Sequence, residues 1–532
     1  MTINLILHNA VVYTVDPQNP LAEAVACANG YIVAVGRNHE ILPLANAETE
    51  MIDAQGQFVL PGFTDAHVHF LQYAVRRHQV NLFGVRDLAE VRRLIQQAVE
   101  RAAPHEWVQG WGWDENLWDR QPDAAFLDEF SPDTPVVLAR LDMHTWWLNS
   151  AAMRQANITA ETVDPPDSRL ERDAAGQPTG LFREWNAIRL IEPYLPQPDD
   201  ATLQKWLLEA VHEAHQLGLT AIHDQRVERE GAQSWHLWQQ LRREGQLNLR
   251  VHANIAADYL TEAITLGLQS GWGDERLWLG HVKTFADGTL GSRTALMLEP
   301  FEGEADNLGM VITSVERLTE LAHQAEAVGL ALSVHAIGDK AVRQVIDVLA
   351  GVNRPNAKRP LLPHRIEHVQ TIHPDDLPRL AAHGLFASMQ PVHLLTDWAV
   401  ADQFWGAKRA RYSYAFRSLL HHNTVLAFGS DAPVAPLNPM LGLYAAIARQ
   451  DERGLPVGGW YPEERLTVAE AIYGYTMGPA ILAGKEPWQG SITPGKWADL
   501  IILSHDLFQL APQEIPQVKV KLTVFAGQVV FR

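Results

Sequence analysis

The sequence predicts a (β/α)8 TIM barrel that carries an inserted lid-like subdomain. A small β-sandwich built from both chain ends flanks it. Three observations carry that expectation. Residue types that bind metals stand at the ends of separate strand-like runs. Helical patterns lie between several of those runs. Short alternating apolar runs open and close the chain, at residues 3–35 and 499–532. Barrels of this kind gather their chemistry where the strands end, at the carboxyl-terminal face.

The elements follow in chain order. Leu5–Thr14 and Ala24–Gly36 read as strand segments, the second folded at Asn29-Gly30, a dipeptide suited to a tight hairpin turn. At the other end, Asp499–Leu503 and Val518–Phe525 are followed by a Gly527 turn and Val529–Phe531. Together they predict a sandwich from residues 1–57 and 485–532, with the barrel over 58–484. Barrel strands are expected near 58–67, 219–225, 248–255, 278–285, 330–335, 363–368, 384–389 and 424–431. Helices are expected at Leu203–Leu217, Val315–Val328 and Lys340–Leu349.

The gap between the first two strands is too long for one βα unit. Residues from about 72 to 200 therefore hold an insertion, rich in tryptophan: Trp107, Trp111, Trp113, Trp118, Trp146 and Trp147. Such an insertion commonly covers the site. Its tryptophans form either its own core or, for Trp111 and Trp113 beside Gly110 and Gly112, a wall for substrate.

The most telling stretch is Asp65-Ala66-His67-Val68-His69, at the end of an apolar run. Alternate residues of a strand point the same way, so His67 and His69 can present two imidazoles to one point. Neutral imidazoles so placed suit Zn²⁺ or a similar cation. Four more runs end alike, in Lys283, His335, His368 and Asp431. Coincidence at five strand ends is far less expected than at one.

Composition narrows the partners. The 43 basic and 63 acidic residues give a net charge of −20, which disfavours nucleic acid and anionic membrane. A small-molecule substrate is expected instead, and a homodimer is left open. The one cysteine, Cys27, excludes an internal disulfide and a Cys-rich zinc site. It fits a reducing compartment. With no signal peptide or long apolar run evident, a cytoplasmic location is expected.

The ligand pattern resembles the amidohydrolase superfamily. Asp65-x-His67-x-His69 looks like its first-strand signature, and Lys283, His335, His368 and Asp431 match its later strand-end residues. More restrictive are Val282-Lys-Thr-Phe-Ala-Asp-Gly-Thr-Leu-Gly-Ser-Arg-Thr-Ala295, Gly110-Trp-Gly-Trp-Asp114 and Asp142-Met-His-Thr-Trp-Trp-Leu-Asn-Ser150. The tail phrase Gly490-Ser-Ile-Thr-Pro-Gly-Lys-Trp-Ala-Asp499 adds to them. These phrases look like family-3 amidohydrolases, the branch that includes N-substituted formamide deformylases, over nearly the whole chain.

The resemblance implies a metal-dependent hydrolase acting on a C–N bond. Two divalent ions, expected to be zinc, are held by His67, His69, Lys283, His335, His368 and Asp431. In that reading Lys283 is carboxylated; otherwise it is a buried lysine paired with Asp287 or Glu367 beside a single ion. Asp431 is the expected general base. His144 either helps hold the oxyanion or makes a lid-to-barrel contact. Arg293 either orients a polar substrate group or serves a structural ion pair. Asp65 is expected to support the barrel or a ligand. Amide hydrolysis, ring opening or deamination on the same scaffold, and a non-catalytic regulator keeping the fold all remain open.

Overall fold

The computed structural model describes residues 2–103, 106–141, 145–166, 168–225, 232–352 and 362–532. The chain divides into two compact units, Met1–Phe70 with Leu208–Arg532, and Leu71–Leu207.

The first unit contains the barrel. Its strands are β1 (Phe63–Val68), β2 (Leu219–Asp224), β3 (Arg250–Ala256), β4 (Leu277–Phe285), β5 (Leu332–Ala336), β6 (Arg365–His368), β7 (Phe386–Met389) and β8 (Leu426–Phe428). They pair in that order as one parallel eight-stranded sheet. The ends of the sheet meet: the Asp431 N–H donates to the His67 carbonyl at 2.7 Å. Nearly every residue of these strands is buried, as expected for parallel strands covered on both faces.

The helices follow their sequence signals. Val315–Val328 opens on Ser314, whose side chain accepts from the Arg317 N–H, and closes on Gly329 at φ 84°. A serine N-cap and a left-handed glycine stop are the expected signals. The next helix, Asp339–Val352, buries Ala341, Val342, Val345, Ile346 and Leu349 on one face.

Both chain ends build the sandwich. Leu5–His8, Ala24–Ala28, Tyr31–Gly36 and Glu50–Asp53 form a four-stranded sheet. The second sheet joins Val11–Tyr13 and Phe58–Pro61 to Leu500–Leu503, Val520–Phe525 and Gln528–Phe531, with Leu21–Ala22 at its edge. Its core holds Leu5, Val12, Val25, Cys27, Ile32, Val59, Leu500, Ile502 and Val524. Asn29 and Gly30 both have positive φ, as a type I′ hairpin turn requires.

The expected first barrel strand near 58–67 is in fact two strands in two sheets. Phe58–Pro61 pairs with Leu500–Leu503 in the sandwich, whereas Phe63–Val68 pairs with β2 in the barrel. The chain changes sheet at Gly62, where an added Cβ would lie 2.2 Å from the Thr220 hydroxyl. Only glycine fits that close approach. A buried ion pair joins the same two parts: Arg250 of β3 donates to Asp499 at 2.6 and 3.1 Å. The guanidinium lies 3.8 Å over the Trp497 ring.

The second unit has its own six-stranded sheet, in the order Arg169–Arg172, Pro178–Arg183, Thr145–Leu148, Val136–Arg140, Val108–Trp113 and Val80–Asn81. Trp113, Trp118 and Trp147 cluster in its core with ring centroids 5.8 to 6.1 Å apart. Each indole N–H there finds a carbonyl: Leu138 for Trp113, Val85 for Trp118 and Asp123 for Trp147. That satisfies what burial of an indole demands.

Candidate metal centre

The candidate ligands converge at the carboxyl ends of β1, β6 and β8. Strand alternation puts His67 and His69 on one side, with ring centroids 5.6 Å apart. Asp65 fixes this strand end. Its carboxylate accepts from the backbone N–H of His67 at 3.0 Å and of Ser430 at 3.0 and 3.1 Å. Those bonds join β1 to the turn that carries Asp431.

Asp431 is the focus. Its Oδ1 lies 3.3 Å from Nε2 of both His67 and His69. His368 lies 4.9 Å from His67 and 4.5 Å from His335, ring centre to ring centre. Potential ligand atoms of His67, His368 and Asp431 all fall within 4.8 Å of one another. Burial would raise the Asp431 carboxyl, but His67 and His69 outweigh it and hold it well below the usual carboxylate range. Burial and neighbouring charge push the imidazoles of His368 and His335 down, His335 to about 3. The result is an ionised carboxylate beside the neutral imidazoles of His335 and His368, the forms that bind metals.

Two of these residues have backbones in the left-handed region. His368 has φ 70° and Asp431 φ 59°. Such conformations are uncommon outside glycine and cluster at functional sites. Both residues stand where a strand breaks off and the side chain is redirected.

Several buried polar atoms here lack a hydrogen-bond partner among the described residues: His69 Nδ1, His368 Nδ1, His393 Nε2 and Lys283 Nζ. Buried polar atoms are rarely left so. One carboxylate and two imidazoles with ligand atoms within 4.8 Å of one another form a donor set that fits a metal. His335 is placed differently. Its Nε2 lies 3.0 Å from the Gly288 carbonyl, which can only accept, so a neutral His335 keeps its lone pair on Nδ1.

Lys283, in β4, is 2 % exposed. Its Nζ faces the Phe285 ring at 4.8 Å. Burial brings it down to about 8, although Glu367 and Asp431 pull the other way. It makes no hydrogen bond to Asp287 or Glu367. Asp287 instead accepts from the backbone N–H groups of Leu296, Ile337 and Gly338.

The remaining candidates have surroundings of their own. Arg293 pairs with Glu304 at 3.1 Å and sits 5.1 Å over Phe404. Trp113 has no exposed surface and sits in the core of the second unit. Trp111 is half-buried, with its N–H on the Arg76 carbonyl and the Arg76 guanidinium 5.1 Å over its ring. His144 lies outside the described residues.

Two neighbours of the cluster were not singled out from sequence as site residues. His393 Nε2 is 3.7 Å from Asp431 Oδ2. It ends a short 3-10 turn, Pro391–His393, so strand alternation gives it no signal beyond its position just past β7. Glu367 is the other, and it meets His67 rather than Lys283.

The sequence profile of the amidohydrolase family matches residues 50–531. The chain belongs to the amidohydrolase family. Among its relatives, Protein LONG AFTER FAR-RED 3 of Arabidopsis thaliana is 32 % identical, over 94 % of this chain and 87 % of the plant protein. The N-substituted formamide deformylase of Arthrobacter pascens is 28 % identical, over 98 % of this chain and 97 % of its own length. A crystal structure of an uncharacterised metal-dependent hydrolase from Pyrococcus furiosus superposes with a TM-score of 0.76 at 27 % identity, covering 95 % of this chain and all of that one. This amidohydrolase is a metal-dependent hydrolase with its candidate metal site at His67, His368 and Asp431. No helix among the described residues is long and apolar enough to cross a membrane.

Proposed function

We propose that this amidohydrolase cleaves the C–N bond of a small amide, with N-substituted formamides as the first class to try. The observation that carries the reading is the buried cluster of His67, His368 and Asp431, with Lys283 Nζ, which has no hydrogen-bond partner among the described residues. His69 and His335 complete the ligand set, for two divalent ions, with zinc expected. Ions bound there would activate water and polarise the amide carbonyl. Asp431, ionised across the working pH range, takes the proton from the attacking water and passes it to the leaving nitrogen.

Lys283 is proposed to be carboxylated. An ammonium cannot ligate, and an unpaired buried one is costly. An amine depressed to about 8 is in part neutral at physiological pH, the form that adds carbon dioxide. The carbamate would supply two anionic oxygens. His144 is proposed to assist the oxyanion, and Trp111 to contact the N-substituent. Trp113, enclosed as it is, is the less favoured of the two indoles.

The test is elemental analysis of protein purified without chelator, followed by an amide screen with product identification. About two ions per chain, and amine plus acid as products, are expected. Ammonia or a ring-opened product would move the assignment to deamination or cyclic-amide hydrolysis. Absence of metal, with no hydrolysis after reconstitution, would overturn the reading.

A further inference from the structure

Beneath the metal-binding end, the barrel interior holds a fully buried ion pair, Arg365 and Glu367. Both come from β6, two residues apart, so both point inward. Glu367 Oε2 lies 2.6 Å from His67 Nδ1. Its Oε1 accepts from the Ser333 hydroxyl of β5 at 2.5 Å. Arg365 approaches both oxygens, with Nε 2.5 Å from Oε1 and Nη2 3.2 Å from Oε2. The same guanidinium donates to the Ala66 carbonyl and the Ser388 hydroxyl, each at 2.6 Å, and to His223 Nδ1 at 2.9 Å.

We infer that Glu367, clamped by Arg365 and Ser333, is a positioning residue that sets His67 for metal binding. A carboxylate flanked by a guanidinium can only accept, so His67 must carry its proton on Nδ1. Neutral His67 then has one lone pair, on Nε2, and that atom faces Asp431 at 3.3 Å. Arg365 adds a second hold. The carbonyl it grips belongs to Ala66, the residue before His67, so one guanidinium restrains both the backbone and, through Glu367, the ring.

Stability alone does not explain the arrangement. Taking two charges out of water is costly, and well-packed apolar pairs are often as stable. What an ion pair adds is a fixed proton and a fixed ring orientation. Groups that hold a ligand histidine this way typically change metal affinity about 10- to 100-fold when removed.

The inference rests on the metal-site reading above. The experiment compares zinc affinity, by competition with a chromophoric chelator, and thermal unfolding of the metal-free protein. Three variants are measured against wild type: Glu367→Gln, Ser333→Ala and, as an interior control, His252→Leu. Glu367→Gln should fold and bind zinc about 10- to 100-fold more weakly. Ser333→Ala should shift affinity the same way by less, and His252→Leu should lower the unfolding temperature without changing affinity. A folded Glu367→Gln with wild-type affinity overturns the inference. Should that variant not fold, an unchanged affinity in Ser333→Ala overturns it equally. Wild-type protein that takes up no divalent ion overturns the metal reading itself, which is a separate result.

Discussion

Two groups of buried histidines share this barrel, and their hydrogen bonds tell them apart. At the strand ends, His69 and His368 each keep a ring nitrogen with no hydrogen-bond partner among the described residues, as does Lys283 Nζ. Deeper inside, the ring nitrogens run in one chain. Trp278 Nε1–H donates to His252 Nδ1 at 2.9 Å, His252 meets His281 at 2.9 Å, and His281 Nε2 meets the Pro363 carbonyl at 2.9 Å. The indole can only donate and the carbonyl can only accept, so every proton in the chain is assigned and both imidazoles are neutral. Gly280 makes the chain fit, since a Cβ there would lie 2.2 Å from His252 Nε2. The inner histidines are spent on the fold, while the outer ones are left with capacity for something else. Burial does not separate the two groups; the accounting of partners does.

The largest expected effect breaks the outer group. Asp431→Asn should lower hydrolysis by about 10²- to 10⁴-fold, the usual worth of a general base, while leaving the unfolding temperature near wild type. A comparable loss of stability would mean that the cluster is structural, and the contrast would fail. His368→Ala should reduce bound metal in elemental analysis, again without unfolding the barrel.

Next in size is an aromatic contrast within the second unit. Trp113 is enclosed and bonded through its N–H, whereas Trp111 is half-buried. Trp113→Ala should cost about 3–5 kcal/mol of stability in denaturant unfolding. Trp111→Ala should cost less, and in the proposed role it raises KM for amides with bulky N-substituents. Equal stability losses in both variants would remove the distinction.

These contrasts also mark what the sequence could disclose. Strand ends were legible because alternation is local: His67, His335, His368 and Lys283 each lie in or next to an apolar run with its own strand signature. The Asn29-Gly30 turn was legible for the same reason. The break at Gly62 was harder, because Phe58–Phe63 is continuous in apolarity and only pairing shows that it serves two sheets. Glu367 and His67 stand 300 residues apart, so no local pattern joins them. Trp111 and Trp113 share one motif, and their different burial is set by packing. The inner and outer histidines likewise look alike in sequence, since a hydrogen-bond partner is a tertiary fact.

A smaller effect tests the inner group directly. His252→Leu leaves the Trp278 N–H and His281 Nδ1 without their present partner, at about 1–3 kcal/mol for each group stranded. Metal content should be unchanged.

The last prediction concerns pH. Burial, followed by the neighbouring His223 and His281, pushes the His252 imidazole well below its ordinary value. The unfolded chain takes up a proton at this residue below about pH 6.5, and the folded barrel refuses it. The unfolded state therefore binds more protons in acid, so the stability that His252 contributes is complete above that pH and is lost as pH falls below it. Leucine cannot titrate, so in His252→Leu this component is missing, and pH effects from groups that do not touch His252 cancel in the difference between the two proteins. The gap in unfolding free energy should be widest near pH 8 and narrow as pH falls through about 6.5 toward 5, at no more than roughly 1.4 kcal/mol per pH unit. Denaturant titrations of both proteins across that range measure it. A constant gap would mean that His252 accepts a proton in the folded barrel. The donor chain from Trp278 to Pro363 would then be wrongly assigned, and with it the contrast between spent and unspent histidines.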